Sequence, residues 1–240
     1  MKKFKFLAKN KINLLPKTAG VYGFFAGKKI LYIGKAINIK KRVKNHLQKP
    51  GFQDRALLNQ VKQFAFIETG SEIEALLLEA KLIKKYQPKY NTIWKDDKNY
   101  FYVGATKEPL PMVSLTHQTQ NSKIKYIGPF VDGKAIKEVL RLLRRVFPYY
   151  TKKHGTKLCP WCHLNLCPGP SPDKKEYQTS IKNLISVLKG KKKSVLNNLK
   201  KEMEAASKNK DFEKAAKLRD QVEALEKIAS HSATKDLLLR

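Results

Sequence analysis

The chain has 240 residues, enough for one or two domains with real cores, and its 42% apolar content excludes a disordered tail. Fifty Lys and Arg stand against twenty Asp and Glu, a net charge of +30 that repels itself unless a polyanion offsets it. Nucleic acid is the first candidate partner, an anionic membrane surface the second, and a lysine excess that only aids solubility the plain alternative.

Met1 to Asn13 alternates Lys with apolar residues and has no signal-peptide core or small-residue cleavage site. No apolar run approaches the ~20 residues of a membrane span, so a cytoplasmic protein without a membrane partner is expected. Met1 to Pro50 holds no acid, and its basic residues are interleaved with Tyr and Phe, the usual footprint of nucleic-acid binding. Gly20–Ala26 and Lys29–Gly34 are short aromatic and β-branched runs around Gly27-Lys28, which predicts a β-hairpin carrying Tyr22 and Tyr32 side by side. From Asn38 to about Leu47 a basic amphipathic helix turns Ile39, Val43 and Leu47 inward, with Arg42 and His46 on another face.

Ala65–Thr69 reads as a third strand. Ser71 with Glu74 predicts a capping box opening a helix to Tyr86, which Pro88 stops. Ile73, Leu76, Leu77, Ala80 and Ile83 give that helix a wide apolar face, and Leu78 and Leu82 extend it. Glu79 is thus a carboxylate in apolar surroundings, where a charge needs a cation, a metal or water. Further strands are expected near Phe101–Ala105, Met112–Thr116 and Lys125–Ile127, then a basic helix over Lys134–Val146.

All three cysteines, Cys159, Cys162 and Cys167, lie in one Pro- and Gly-containing loop that ends at Pro172. This speaks against a secreted disulfide framework. With His163 or His154 they supply donors for one tetrahedral Zn²⁺; an iron–sulfur cluster or no metal at all are the alternatives. Helix resumes from about Lys174. Ser194–Ser207 and Asp211–Ala229 are helical patterns, the second with Ala215, Leu218, Val222, Leu225 and Ala229 in a coiled-coil-like seam and Asp211 as its cap. Two such helices form a hairpin with little core of its own, so part of its apolar face is available to a partner.

The triplets GVY (Gly20–Tyr22) and YIG (Tyr32–Gly34), followed in order by Lys35, Arg42, Glu79, Asn91 and the KDDK of Lys95–Lys98, resemble the GIY-YIG nuclease superfamily. The wording LPKTAGVY, YIGKA, EALLLEAKLIKKYQPKYN and KDDKNY is similar to its UvrC branch, the excinucleases of bacterial nucleotide excision repair. YIGPF, FPYYT and CPGP continue the likeness, and the tail from Met203 resembles the UVR motif that binds UvrB.

The resemblance implies an α+β fold: a small antiparallel or mixed sheet flanked by helices over 1–98, a small α/β middle region over 99–172, and a helical region over 173–240 with the UVR-like hairpin at about 194–229. It implies a DNA endonuclease with Glu79 holding Mg²⁺ or Mn²⁺, Arg42 gripping the scissile phosphate, and Lys35 adding charge. Tyr22 and Tyr32 would position or deprotonate the water, Tyr32 being the preferred base. His46 would serve the phosphate or carry a proton, and Asn91 would orient a tyrosine or the backbone. It also implies an incision 3′ to a lesion, after UvrA and UvrB have marked the DNA, with Phe212, Ala215, Ala216, Leu218, Arg219 and Val222 meeting UvrB; nothing in the sequence looks like a second acidic nuclease site, so one cut is expected.

Two departures stand out. The family's iron–sulfur cysteines are matched by Cys159 and Cys167, but Lys152 and Ser171 stand at the other two positions. The sequence also stops at Arg240, where the family's second nuclease domain would follow, as in a short member or a fragment. A stand-alone GIY-YIG endonuclease and a non-catalytic basic adaptor that binds DNA and UvrB are the rival readings.

Overall fold

The structure, a computed structural model, describes residues 3–48, 52–93 and 100–230. Strand β1 (Lys5–Ala8) is followed by a 3₁₀ turn, Lys9–Leu14. The alternation of Lys with apolar residues at the start was its only sequence signal. The expected hairpin forms from β2 (Gly20–Ala26) and β3 (Lys29–Ala36), paired antiparallel around Gly27 at φ 62. Helices α1 (Ile39–Gln48) and α2 (Phe52–Leu58) lead to β4 (Gln63–Glu68), which starts two residues before the expected strand. The sheet order is β1-β4-β2-β3, with every neighbouring pair antiparallel, so β3 is an edge strand.

Gly20 is required by the close approach of β2 to β4: a Cβ there would collide with the Ile67 carbonyl. Phe24, Leu31 and Phe64 from the sheet pack with Ile39 and Val43 of α1 and Leu57 of α2, and Leu47 flanks this core. Asn38 caps α1 by accepting the Lys41 amide at 2.8 Å. Helix α3 (Glu72–Tyr86) ends at Gln87, whose φ of 44 makes a left-handed cap before Pro88. It buries Leu76, Leu77, Ala80, Leu82 and Ile83, while Ile73 and Leu78 are only half-buried.

The capping box is half realised. Ser71 Oγ accepts the Glu74 amide at 3.1 Å, but the Glu74 carboxylate accepts from Gly70 instead of reaching the Ser71 amide. A short helix, α4 (Lys89–Ile93), carries Asn91. The KDDK motif of Lys95–Lys98 lies outside the described residues.

The chain divides into two compact units, the first mainly residues up to Tyr100, the second mainly Phe101–Gly128 and Asp132–Ile228. The second contains β5 (Phe101–Thr106), β6 (Val113–Thr116) and most of β7 (Ile124–Phe130), in sheet order β6-β5-β7. Helix α5 (Gly133–Val146) is capped by Asp132 and buries Ile136, Val139, Leu140, Leu143 and Val146 at three- and four-residue spacing. The cysteine loop holds a short helix, α6 (Pro160–His163), and α7 (Lys174–Leu188) follows.

Helices α8 (Lys192–Lys208) and α9 (Phe212–Ser230) form the expected hairpin. Asp211 caps α9 by accepting the Lys214 amide at 3.1 Å, and Lys200 of α8 pairs with Glu226 of α9 at 2.8 Å. Among the described residues no helix is long and apolar enough to cross a membrane.

Candidate active site and cysteine cluster

Glu79 lies in the middle of α3 and is only 5% exposed. Its Oε1 accepts the backbone N–H of Lys35 on β3 at 2.8 Å, which fixes the carboxylate beside the YIG strand. A buried carboxylate held by one strand amide is a suitable donor for a hard cation that takes its remaining ligands from water. Asn91 grips the same strand. Its Oδ1 accepts the Ile33 amide and its Nδ2 donates to the Ile33 carbonyl, both at 2.8 Å. Of the two roles open to Asn91, the geometry gives it the backbone.

The two tyrosines do not face each other across the hairpin. Tyr22 is opposite Gly34 and Tyr32 opposite Phe24, so the rings meet diagonally with centroids 6.0 Å apart. A Cβ on Gly34 would lie 2.5 Å from Tyr22 Oη, so the glycine of YIG makes room for the tyrosine of GVY. Tyr22 is 1% exposed, whereas Tyr32 is half-buried. Tyr22 Oη lies 2.9 Å from Nε2 of the buried His46. Arg42, exposed one turn before His46 on α1, and the Tyr32 hydroxyl also bear on Tyr22.

Burial pushes the Tyr22 phenol up to about 12, against the pull of the neighbouring Arg42 and of Tyr32. Burial, then the charges of Tyr22 and Glu79, hold Tyr32 well above the ordinary phenol range, with Arg42 opposing. Both phenols therefore keep their protons at neutral pH unless further positive charge arrives.

Lys35 departs from its expected role. Its Nζ pairs with Glu72 at 3.1 Å, both side chains being largely buried, so the ammonium is matched by a carboxylate. Arg42 is the cation that acts on both phenols. Glu72 escaped the sequence reading. The signal was present, since Glu72 and Glu79 are seven apart on one helix and share nearly one face. Along α1, Lys40, Lys41, Lys44, Asn45 and Gln48 with the preceding Lys17 and Asn38 line a hollow of about 270 Å³.

In the second unit, the donor atoms of His154, Cys159, Cys162 and Cys167 all lie within 4.8 Å of one another. Of the two histidines considered, His154 joins the cysteines; His163 is exposed and outside the group. In the hairpin, Leu218 and Val222 are buried. These two are therefore turned into the fold, a correction to their expected place on a partner face. Ala215 and Ala216 are half-buried, Arg219 is exposed and bridges Asp220 at 3.0 Å, and Phe212 is 68% exposed.

Residues 18–92 match the UvrC-like GIY-YIG domain, and residues 193–228 match the UvrB/uvrC motif. UvrABC system protein C of Clostridium botulinum (strain Langeland) is 39% identical over 229 residues, covering 89% of this chain and 37% of the relative. The protein of the same name from Carboxydothermus hydrogenoformans is 38% identical over 230 residues, covering 91% of this chain and 38% of its own. The chain thus spans under two-fifths of the length of these curated relatives. Among solved structures, the GIY-YIG N-terminal endonuclease domain of UvrC from Thermotoga maritima, bound to its catalytic divalent cation magnesium, is 37% identical. That match covers 35% of this chain and 93% of the domain, with a TM-score of 0.33. With a UvrC-like GIY-YIG domain first and a UvrB/uvrC motif after it, in the order of those relatives, this chain belongs to the UvrC family.

Proposed function

We propose that this chain is a DNA endonuclease of bacterial nucleotide excision repair, making a metal-dependent incision on the 3′ side of a lesion in DNA already marked by UvrA and UvrB. The observation that carries the reading is Glu79: a buried carboxylate, held by the Lys35 amide, beside two interacting phenols and an exposed arginine.

Each residue has a separate task. Glu79 would hold the Mg²⁺ or Mn²⁺, and the donor set fits, since one carboxylate leaves a hard cation its usual complement of waters. When bound, that ion supplies charge neutralisation on the phosphate and the leaving oxygen. Arg42 reaches out of the fold beside the phenols, where its planar fork suits the scissile phosphate. Tyr32 is the more exposed phenol and the better placed to meet a water; it would accept that water's proton as it passes its own hydroxyl proton on to Tyr22. Tyr22, buried and bonded to His46, fixes the pocket and offers a route for that proton toward the imidazole. Lys35 acts through its amide, and Asn91 keeps the strand that carries both Lys35 and Tyr32 in place.

The lysine-lined hollow beside α1 suits the phosphates flanking the cut. The α8–α9 hairpin would dock on UvrB, with Phe212 and Arg219 as its exposed groups. The test is nicking of a lesion-bearing duplex preloaded with UvrA and UvrB, in Mg²⁺. Glu79→Ala and Arg42→Ala should each slow the cut by about 100-fold or more, as loss of a group that stabilises transition-state charge does. Cutting by both variants at the parent's rate sinks the assignment. Parent cutting that does not depend on UvrB would instead identify a stand-alone nuclease.

A further inference from the structure

The second unit contains a group of side chains that phosphodiester chemistry does not use. We propose that His154, Cys159, Cys162 and Cys167 bind one tetrahedral Zn²⁺ through His154 Nε2 and three thiolates.

Geometry makes the first part of the case. Cys159 Sγ lies 3.3 Å from Cys162 Sγ, and His154 Nε2 lies 3.3 Å from the same sulfur. All four donor atoms fall within 4.8 Å of one another. Donors on a single zinc at a Zn–S distance of ~2.3 Å stand roughly 3.8 Å apart, so the four atoms already converge on one point of the right size. In a four-iron cluster each ligand binds a different iron and the donors spread around the outside of the cube. The convergence seen here favours a mononuclear ion.

The surroundings make the second part. His154 Nδ1 lies 2.6 Å from the Gly155 carbonyl and donates there, so that loss of the other ring proton would free Nε2, 3.3 Å from Cys162 Sγ, to bind a metal. Metal-binding histidines are commonly fixed in this way by a backbone carbonyl on the other nitrogen. The Cys159 amide donates to Cys162 Sγ at 3.4 Å, which fixes that sulfur beside Cys159. Cys159 and Cys162 have the C-x₂-C spacing of structural zinc sites, and the helical turn Pro160–His163 holds both on one side.

The ligand set is also particular to this chain. Cys162 and His154 supply the donors that Lys152 and Ser171, at the family-like positions, cannot. On binding, each thiol and the His154 ring give up one proton to solvent, and the site becomes Zn²⁺ with three thiolates and a neutral imidazole, one net negative charge. Arg144 lies close by. Its Nε donates to the Leu166 carbonyl at 2.7 Å and its guanidinium lies 5.1 Å from the Trp161 ring, placing positive charge against the loop.

The test uses the full chain purified without oxygen. Metal analysis should find one zinc per chain and no iron. Cobalt titration should give the visible bands of a tetrahedral sulfur-rich site. His154→Ala should weaken zinc binding by more than about 100-fold, beyond what loss of an outer partner costs, while His163→Ala should leave it unchanged. Cys162→His, which keeps a donor in place, should still bind cobalt but with weaker sulfur charge-transfer absorption. Protein that holds no zinc, protein that holds iron with cluster absorption, or a Cys159–Cys162 disulfide in freshly purified chain would each overturn the proposal. So would a His154→Ala variant with full zinc content and an unchanged cobalt spectrum.

Discussion

Tyr22 is sealed beneath the site, and the cost of ionising it there can be read in solution. Burial lifts its phenol from 10.0 to about 12, so the folded chain keeps a proton that the unfolded chain has already released at pH 11. The stability this provides is complete below pH 10 and is lost as the pH rises from there through about 12. Tyr22→Phe removes the titration. The urea midpoint of the parent should therefore fall more steeply than that of Tyr22→Phe between these two pH values. Parallel slopes would mean that the phenol ionises freely.

At this scale the sequence exposed Glu79 because a charge on an apolar helix face stands out. It could not expose the Lys35 pairing, because Lys35 and Glu72 come from different elements and meet only when α3 packs on β3. Nor could it separate the buried phenol from the half-exposed one, since that depends on Gly34 lying opposite Tyr22.

At the scale of elements, local signals worked where a helix end or a turn declares itself. Asn38, Ser71 and Asp211 each accept the amide expected of an N-cap. The short pieces β1, α2 and α4 were not foreseen, because each is held by what it packs on more than by its own pattern. The hairpin seam illustrates the limit in the other direction. Its period was legible, but whether Leu218 and Val222 faced a partner or the fold depended on what α9 packs against, and they are buried. What remains outside is Phe212 at the start of α9. If the hairpin docks on UvrB as proposed, Phe212→Ala should leave stability within about 0.5 kcal/mol of the parent, as for a surface substitution, yet weaken binding to UvrB about tenfold in a direct titration. Equal affinity would move the docking surface away from this end of the hairpin.

Over the whole molecule, the net +30 is the property that composition alone conveyed most directly. The structure gathers part of it into the hollow that contains Lys41 and Lys44. If that hollow holds the DNA backbone, Lys41→Ala with Lys44→Ala should reduce the slope of log affinity against log salt by about 2, roughly one for each phosphate contact removed. The loss should be similar for damaged and undamaged duplexes, because contacts to phosphate carry no sequence information. An unchanged slope would place the DNA elsewhere.

The edge strand β3 has one more consequence. An open sheet margin offers its outward peptide groups to any passing extended chain, which is how many proteins begin to aggregate. In this chain the outward amide and carbonyl of Ile33 are taken by Asn91, and the next outward amide, Lys35, by Glu79. Two side chains thus stand in for a missing neighbouring strand. The bonds that fix the Glu79 carboxylate also make this margin unattractive to a second copy of itself. If Glu79 holds a cation as proposed, protection from self-association and readiness for metal would depend on the same few atoms.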